Sequence, residues 1–315
     1  MSAIVTLTMN PALDIATATD VIEPSKKLRC EAPRYDPGGG GINVARAAHM
    51  LGGDALAVFP TGGASGQMIE ALLREEGVPH LAVPVPGITR ESLAVVERQS
   101  GRQYRFLLPG PALGERDQER LLDVLAARTA AQTMFVVASG SLPPGVPSDF
   151  YARVARLARD RGARFALDSS GDALTGAGTG VFLIKASLRE LGQLRGMTIA
   201  GDAAQEEAAR AIIAEGRCEV LVVSLGPDGA LLATKEGCRR FPAARIAAVG
   251  SVGAGDSMLA GILVALARGW ELAEAVRFGI AAGSAALLRP GTELCRREDA
   301  ERLYRELGPA SQGGA

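Results

Sequence analysis

The sequence predicts an α/β protein: a mostly parallel sheet with helices on both faces, and a small β lid standing off it. Three observations carry this. From residue 55 onward, short β-rich runs alternate with longer runs whose apolar residues recur at three- and four-residue steps, the rhythm of βαβ units. Two stretches, about 15–35 and 88–109, interrupt the body with short, charged, β-rich segments. Two glycine runs, at 38–41 and 250–255, each lead straight into an apolar helical pattern. One domain spanning 1–315 accommodates all of this, since no break in charge or composition marks a second and no internal repeat is present. The one low-complexity tract is a polar tail after Gly308.

Composition narrows the class. The 315 residues are 47% hydrophobic and 22% charged, with a net charge of −1. That is ordinary for a globular protein with a sizeable core. It argues against a nucleic-acid or membrane-surface partner, so any anion must be held by a local cluster. Cys30, Cys218, Cys238 and Cys295 are scattered, and His49 and His80 are the only histidines. A zinc site or disulfide framework is therefore not expected, and a reducing cytoplasm is. The first residues show no basic n-region or cleavage site. The longest apolar helical runs, near 257–267 and 278–288, fall short of the roughly 20 residues a bilayer span needs.

In order, Ile4–Leu7 reads as a buried first strand, with Asn10, Pro11 and Asp14 after it. Ligand groups in open α/β sheets sit past strand ends, so Asp14 is a candidate for sugar hydroxyls; a turn aspartate is the plainer reading. The first lid stretch carries Lys26, Lys27, Arg29 and Cys30. The second turns at Ser100-Gly101 and carries Arg90, Arg98, Arg102 and Arg105. These cations form either a solvated face or a grip on a substrate phosphate. Between the two stretches, Gly38 to Gly41 precede Ile42, Asn43, Val44 and Ala45. Four glycines there let a ligand approach the backbone closely, and Asn43 offers both donor and acceptor.

Strands are expected near 55–59, 133–138, 164–167, 181–184 and 220–224, with helices near 65–76, 116–130, 147–161 and 202–215. Ser139-Gly140-Ser141 and the turn from Ser224 to Gly229 fall at strand ends. Two short strands, 229–233 and 238–241, follow the latter. Then comes G-S-V-G-A-G-D-S-M at 250–258. Glycines ahead of a helix leave N–H groups pointing outward at its positive end, a site for a phosphoryl group. A second anion would repel one there. Asp256 therefore reads as the acceptor of a proton from an attacking hydroxyl, or, more plainly, as a helix cap. The phosphate loop G-x-x-x-x-G-K-[ST] and the dinucleotide fingerprint G-x-G-x-x-G are both absent.

G-A-G-D-S at 253–257 and P-G-G-G-G-I-N-V-A-R-A at 37–47 resemble the two signatures of the PfkB family of carbohydrate kinases. T-L-T-M-N-P-A-L-D at 6–14, K-L-R-C at 27–30, Y-R-F-L-L-P-G at 104–110, S-G-S-L-P-P-G-V at 139–146, L-D-S-S-G at 167–171 and V-R-F-G-I-A-A-G-S-A-A at 276–286 resemble its minor bacterial 6-phosphofructokinase branch. The match runs from Ile4 to about Leu307. It implies the ribokinase-like three-layer sandwich and ATP-dependent phosphorylation of the 1-hydroxyl of fructose 6-phosphate. Nearest alternatives are 1-phosphofructokinase and tagatose-6-phosphate kinase; further off stands a non-catalytic sugar-phosphate sensor. Residue by residue, the resemblance makes Asp256 the base, with Gly253, Ala254 and Gly255 forming the anion hole. It puts Asp14, Gly39, Gly40 and Asn43 on sugar hydroxyls, and Arg90, Arg105 and Ser139 on the 6-phosphate. Lys27 and Arg29 would reach in from a partner's lid in a homodimer. Lys185, Ser187, Ser224, Gly226, Gly229 and Ser284 would line the ATP site. Mg²⁺ would accompany ATP, held through water by Glu190. The family usually has Asn where Ser187 stands, so either Ser187 holds a metal-bound water or it caps the helix that follows.

Overall fold

The computed structural model describes residues 2–250, 252–289 and 291–308; Ser251 of the glycine run and the polar tail beyond Gly308 lie outside them. In chain order the elements begin β1 (Ile4–Leu7), β2 (Ala12–Thr19), β3 (Arg34–Gly38), α1 (Gly40–Met50), β4 (Ala55–Thr61) and α2 (Gly63–Glu75). Then come β5 (His80–Pro84), β6 (Arg90–Glu97), β7 (Gln103–Leu107), α3 (Glu115–Arg128), β8 (Phe135–Ser139), α4 (Phe150–Asp160) and β9 (Arg164–Asp168). Next are α5 (Gly171–Thr175), β10 (Val181–Ser187), α6 (Leu188–Arg195), α7 (Asp202–Ala214), β11 (Cys218–Ser224), β12 (Ala230–Thr234) and β13 (Gly237–Phe241). The chain closes with α8 (Ala254–Ala267), α9 (Leu272–Leu287) and α10 (Arg297–Glu306).

Among the described residues, nine strands make one sheet, ordered β13-β12-β11-β10-β9-β8-β1-β4-β5. From β11 to β5 all neighbours are parallel, while β12 and β13 fold back antiparallel at one edge. Central strands bury both faces, as parallel strands must. Val220 and Val222 face a core built with α1, α2, α8, α9 and α10. Leu221 and Val223 face the other, built with α3 to α7. This is the expected three-layer arrangement. Helix α8 is buried from Ser257 to Ala265, apolar all round as a core helix must be. It meets α9 through Gly261 and Gly279. A Cβ on Gly261 would lie 2.9 Å from that of Ala282, and one on Gly279 2.8 Å from the Met258 carbonyl oxygen. Close backbone packing thus pins α8 and the position of its first turn.

The lid is a four-stranded sheet, β3-β2-β6-β7. Its second stretch runs as expected, β6 and β7 turning about Ser100-Gly101. Its first needs correcting. Strand β2 starts at Ala12, so Asp14 lies within a strand and not in a turn, and residues 20–33 hold no strand. Lys26, Lys27 and Arg29 are exposed there, so burial does not fix them as an extended segment. Register then sorts the side chains. Asp14 lies opposite Asp36 and Ser92, Ala12 opposite Arg90, and Ala94 opposite both Ala16 and Arg105. With a period of two, Asp14, Arg90, Ser92 and Arg105 share one face. The other face carries the row Tyr35, Ile15, Leu93 and Phe106.

Candidate active site

Two helix N-termini converge where the lid meets the large sheet. Helix α8 starts at Gly253, whose φ of 75° is left-handed and suits glycine alone without strain. No side chain caps it. The first intrahelical bond runs from the Ser257 N–H to the Gly253 carbonyl, so the N–H groups of Ala254, Gly255 and Asp256 precede it and have no backbone hydrogen bond among the described residues. Asp256 is thus inside the first turn and not the cap. Helix α1 starts beside it after Gly39, also without a side-chain cap. A Cβ on Gly40 would fall 2.2 Å from Ser139 Oγ and 2.8 Å from the Gly140 nitrogen; a glycine here lets α1 sit against the end of β8. The two helices touch through Asn43, whose Nδ2 donates to Asp256 Oδ2 at 3.0 Å.

One turn of α8 divides two pockets. The first, about 580 Å³, is lined by Asn10, Asp14, Gly39, Gly40, Asn43, Arg90, Ser92, Arg105, Ser141, Gly253 and Asp256, among others. The second, about 660 Å³, has Ala254 and Gly255 in its wall, with Ser224, Gly226, Gly229 and Ser284 and apolar Ile246, Met258, Ile280 and Leu287. Gly253 and Asp256 therefore face the lid side, and Ala254 and Gly255 the apolar side. Polar groups line one pocket and hydrocarbon dominates the other, as an anionic sugar and a flat base would each require.

Charge is tuned on the lid side. The Asp256 carboxyl is pushed up to about 7 by burial first and then by the Asp168 carboxylate, while the Asn43 amide and the Lys185 ammonium pull it back and Asp14 adds to the rise. Burial lifts Asp14 to about 6 against the pull of Arg90, Arg105 and Ser92, with Asp36 adding to the rise. Arg90 is itself braced: its Nε and one terminal nitrogen donate to the Asn10 carbonyl at 3.2 and 3.1 Å. Behind the turn, Lys185 Nζ lies 3.0 Å from Asp168 Oδ2. Burial alone would lower the Lys185 pKa; the carboxylates of Asp168, Asp256 and Glu190 outweigh it and raise it.

Several expected residues stand elsewhere. Ser139 is 1% exposed and packs beneath Gly40; Ser141 lines the pocket instead. Lys185 and Ser187 do not line the apolar pocket. Lys185 is held under α8 by Asp168. Ser187 caps α6: its Oγ accepts from the Glu190 N–H, and Glu190 Oε2 accepts from the Ser187 N–H at 2.7 Å. The capping reading of Ser187 accounts for its contacts. Lys27 and Arg29 do not line the lid-side pocket. Asn10, Ser92 and Asp168 belong to the site without a signal of their own in the sequence, and Ser141 belongs to it through the strand-end triplet Ser139-Gly140-Ser141. Asn10 and Ser141 hold each other at 3.1 Å, and their motifs, not their spacing, were the available signal.

Residues 7–299 match the family described as pfkB family carbohydrate kinase. The chain is 53% identical over 301 residues to the ATP-dependent 6-phosphofructokinase isozyme 2 of Mycobacterium tuberculosis, covering 96% of this chain and 88% of that one. It is 43% identical over 309 residues to the isozyme of the same name from Escherichia coli, covering 98% and 99%. The crystal structure of Escherichia coli phosphofructokinase-2 in complex with fructose-6-phosphate superposes with a TM-score of 0.91 at 42% identity, over 98% of this chain and 100% of that one.

Proposed function

We propose that this chain, which belongs to the pfkB family of carbohydrate kinases, transfers the γ-phosphoryl group of ATP to the 1-hydroxyl of fructose 6-phosphate. The observation that carries this reading is the shared first turn of α8. Asp256 lines one pocket and Ala254 and Gly255 the other, which supports an acceptor on one side of this turn and the donor on the other. Asp256 accepts the proton as the sugar O1–phosphorus bond forms and the bond to the β–γ bridging oxygen breaks, releasing ADP. The open N–H groups stabilise charge on the phosphoryl group in flight. Asp14, Gly39, Gly40 and Asn43 hold sugar hydroxyls, and Arg90 and Arg105 the 6-phosphate. Ser224, Gly226, Gly229 and Ser284 line the nucleotide pocket.

Mg²⁺ takes hard oxygen ligands and keeps several waters, so one or two carboxylates suffice. Glu190 fits: its Oε2 closes the capping box, and Oε1 lies 3.7 Å from the largely exposed Arg189 guanidinium. Glu190 would hold the ion through water, and the ion when bound neutralises phosphate charge. Asp168, Lys185 and Glu190 keep the sheet side of the turn ordered. Among the described residues no helix is long and apolar enough to cross a membrane. The four cysteines are all free thiols, which supports a reducing, cytoplasmic setting.

Phosphorylation of fructose 6-phosphate, fructose 1-phosphate and tagatose 6-phosphate, assayed side by side, tests the reading. The highest kcat/KM is expected on fructose 6-phosphate. A preference for either of the others reassigns the acceptor, and no turnover on any returns the sensor reading. Arg105→Ala should raise KM for the sugar phosphate by roughly tenfold or more, the worth of a charge-assisted hydrogen bond. KM for ATP should barely move; equal rises would indicate a misfolded lid.

The lid also supports a homodimer. Tyr35 and Phe106 in its outer row are 37% and 52% exposed, and a small sheet with an open apolar face is poorly stable alone. Pairing two lids covers that face and brings Lys27 and Arg29 of each to the other's pocket. Sedimentation at assay concentration should give a dimer as the active species; a fully active monomer would exclude this arrangement.

A further inference from the structure

Arg46 is an arginine inside the protein core, 2% exposed, on the buried side of α1 one turn beyond Asn43. Its Nε and one terminal nitrogen form a fork on the Glu76 carboxylate at 2.7 and 2.5 Å. The other terminal nitrogen donates to the Pro37 carbonyl at 2.9 Å and faces Asn43 Oδ1 at 3.5 Å. Asp36 of β3 lies 3.6 Å from the guanidinium, and accepts in turn from Thr292 and Arg34, which also pairs with Glu293. A side chain this polar is costly to bury unless its donors are used. One of them points at the amide that holds Asp256.

We propose that Arg46 is a positioning residue for the proton transfer: its guanidinium fixes the Asn43 amide with oxygen inward and nitrogen toward Asp256, and ties that amide to the lid strand β3. The inference rests on Asp256 being the base. An amide has two orientations of nearly equal shape. Flipped, its NH₂ would face the Arg46 N–H groups, donor against donor, and its oxygen would face the Asp256 carboxylate. The cation makes that state unfavourable at both ends. The amide that remains favours ionised Asp256, because it donates to the charged form. Asp168 on β9, Lys185 on β10 and Asp14 on β2 also act on Asp256, but none of them orients Asn43. The anchors lie on two separate segments, Asp36 and Pro37 on β3 and Glu76 at the end of α2, so Arg46 also registers α1 against the lid.

The test is the pH profile of kcat/KM for wild type, Arg46→Lys, Asn43→Ala, the double variant and Glu76→Gln, with Asp256→Asn as control. Lysine keeps the charge but cannot fork onto Glu76 while facing Asn43. The acid limb of Arg46→Lys should move up by about 0.5–1 pH unit, part of the worth of a hydrogen bond to a charged group. Glu76→Gln, which leaves Arg46 in place, should move it the same way by less. The double variant should show the limb of Asn43→Ala alone, because Arg46 acts through Asn43. A purely structural role of Arg46 lowers Tm in Arg46→Lys and Glu76→Gln and leaves their limbs where the wild-type limb lies. A folded Arg46→Lys with an unmoved limb overturns the proposal, as do shifts that add in the double variant. If Arg46→Lys does not fold, the Glu76→Gln limb decides. An Asp256→Asn enzyme that keeps both turnover and the limb overturns the base assignment and this inference with it.

Discussion

Asp256→Asn is expected to lower kcat by about 10²–10⁴-fold, the usual consequence of losing a general base. Asn43 can still donate to the new amide oxygen, so the fold and sugar binding should persist. A variant keeping more than about a tenth of wild-type kcat would place the base elsewhere. Two further readouts follow from the raised pKa. In the free enzyme, kcat/KM should decline as pH falls below about 7, where Asp256 takes up a proton. Stability should respond in the opposite sense. The unfolded carboxyl ionises near 3.8 and the folded one near 7. Between these values the folded chain keeps a proton that the unfolded chain has released, so stability is lost as pH rises across that window. Asparagine carries no such charge. Asp256→Asn should therefore melt several degrees above wild type at pH 8 and close to it at pH 4. Equal melting at both pH values would mean the carboxylate is not strained by its surroundings.

Gly255→Ala should cost about 10²-fold or more in kcat, the scale of losing a preorganised anion-binding group. The added Cβ would lie 2.6 Å from Lys185 Nζ. Either the ammonium leaves Asp168 or α8 lifts off the sheet. The first option breaks a buried ion pair, worth about 3 kcal/mol; the second moves the Ala254 and Gly255 N–H groups off the phosphoryl path. Both lower kcat and Tm together, unlike Asp256→Asn, which lowers kcat and raises Tm at neutral pH and above. Wild-type kcat and melting in the alanine variant would show that Gly255 is not packed against Lys185 as described.

The body of the fold was legible because its signals are local. Ile4–Leu7 is a strand because four apolar residues follow one another, and α8 is a helix because Met258, Leu259, Ile262, Leu263 and Leu266 recur on one face. The lid's second half was legible through a Ser-Gly turn between alternating runs. Strand β5 was missed: it is five residues at the sheet edge, ending on Pro84. Helices α5 and α6 are five and eight residues long, too short for a periodic pattern to register. Glycine-rich turns revealed where ligands sit, and the motifs named Asp14, Asn43, Arg90, Arg105 and Asp256. What stayed hidden depends on distant contacts. Ser139 and Ser141 sit in the same Ser-Gly-Ser triplet, and only the packing of Gly40 decides which faces the pocket. Arg46 reads as a polar residue on a helix until Glu76, 30 residues away, is seen to hold it.

The dividing turn of α8 has a consequence for how such a protein can change over time. The pocket proposed for the donor is lined from β11 and the turn after it, the loop ahead of α8, and α8 and α9. The acceptor pocket instead takes Asp14, Arg90, Ser92 and Arg105 from β2, β6 and β7, which belong to a sheet of their own. Substitutions at those four positions redraw the acceptor's shape and charge while leaving in place Leu13 and Ile15, through which β2 joins the core shared with Met258 and Ile280. Acceptor preference is therefore the inheritable variable of this architecture and the phosphoryl donor its fixed quantity. New acceptor specificities can be sought by randomising Asp14, Arg90, Ser92 and Arg105.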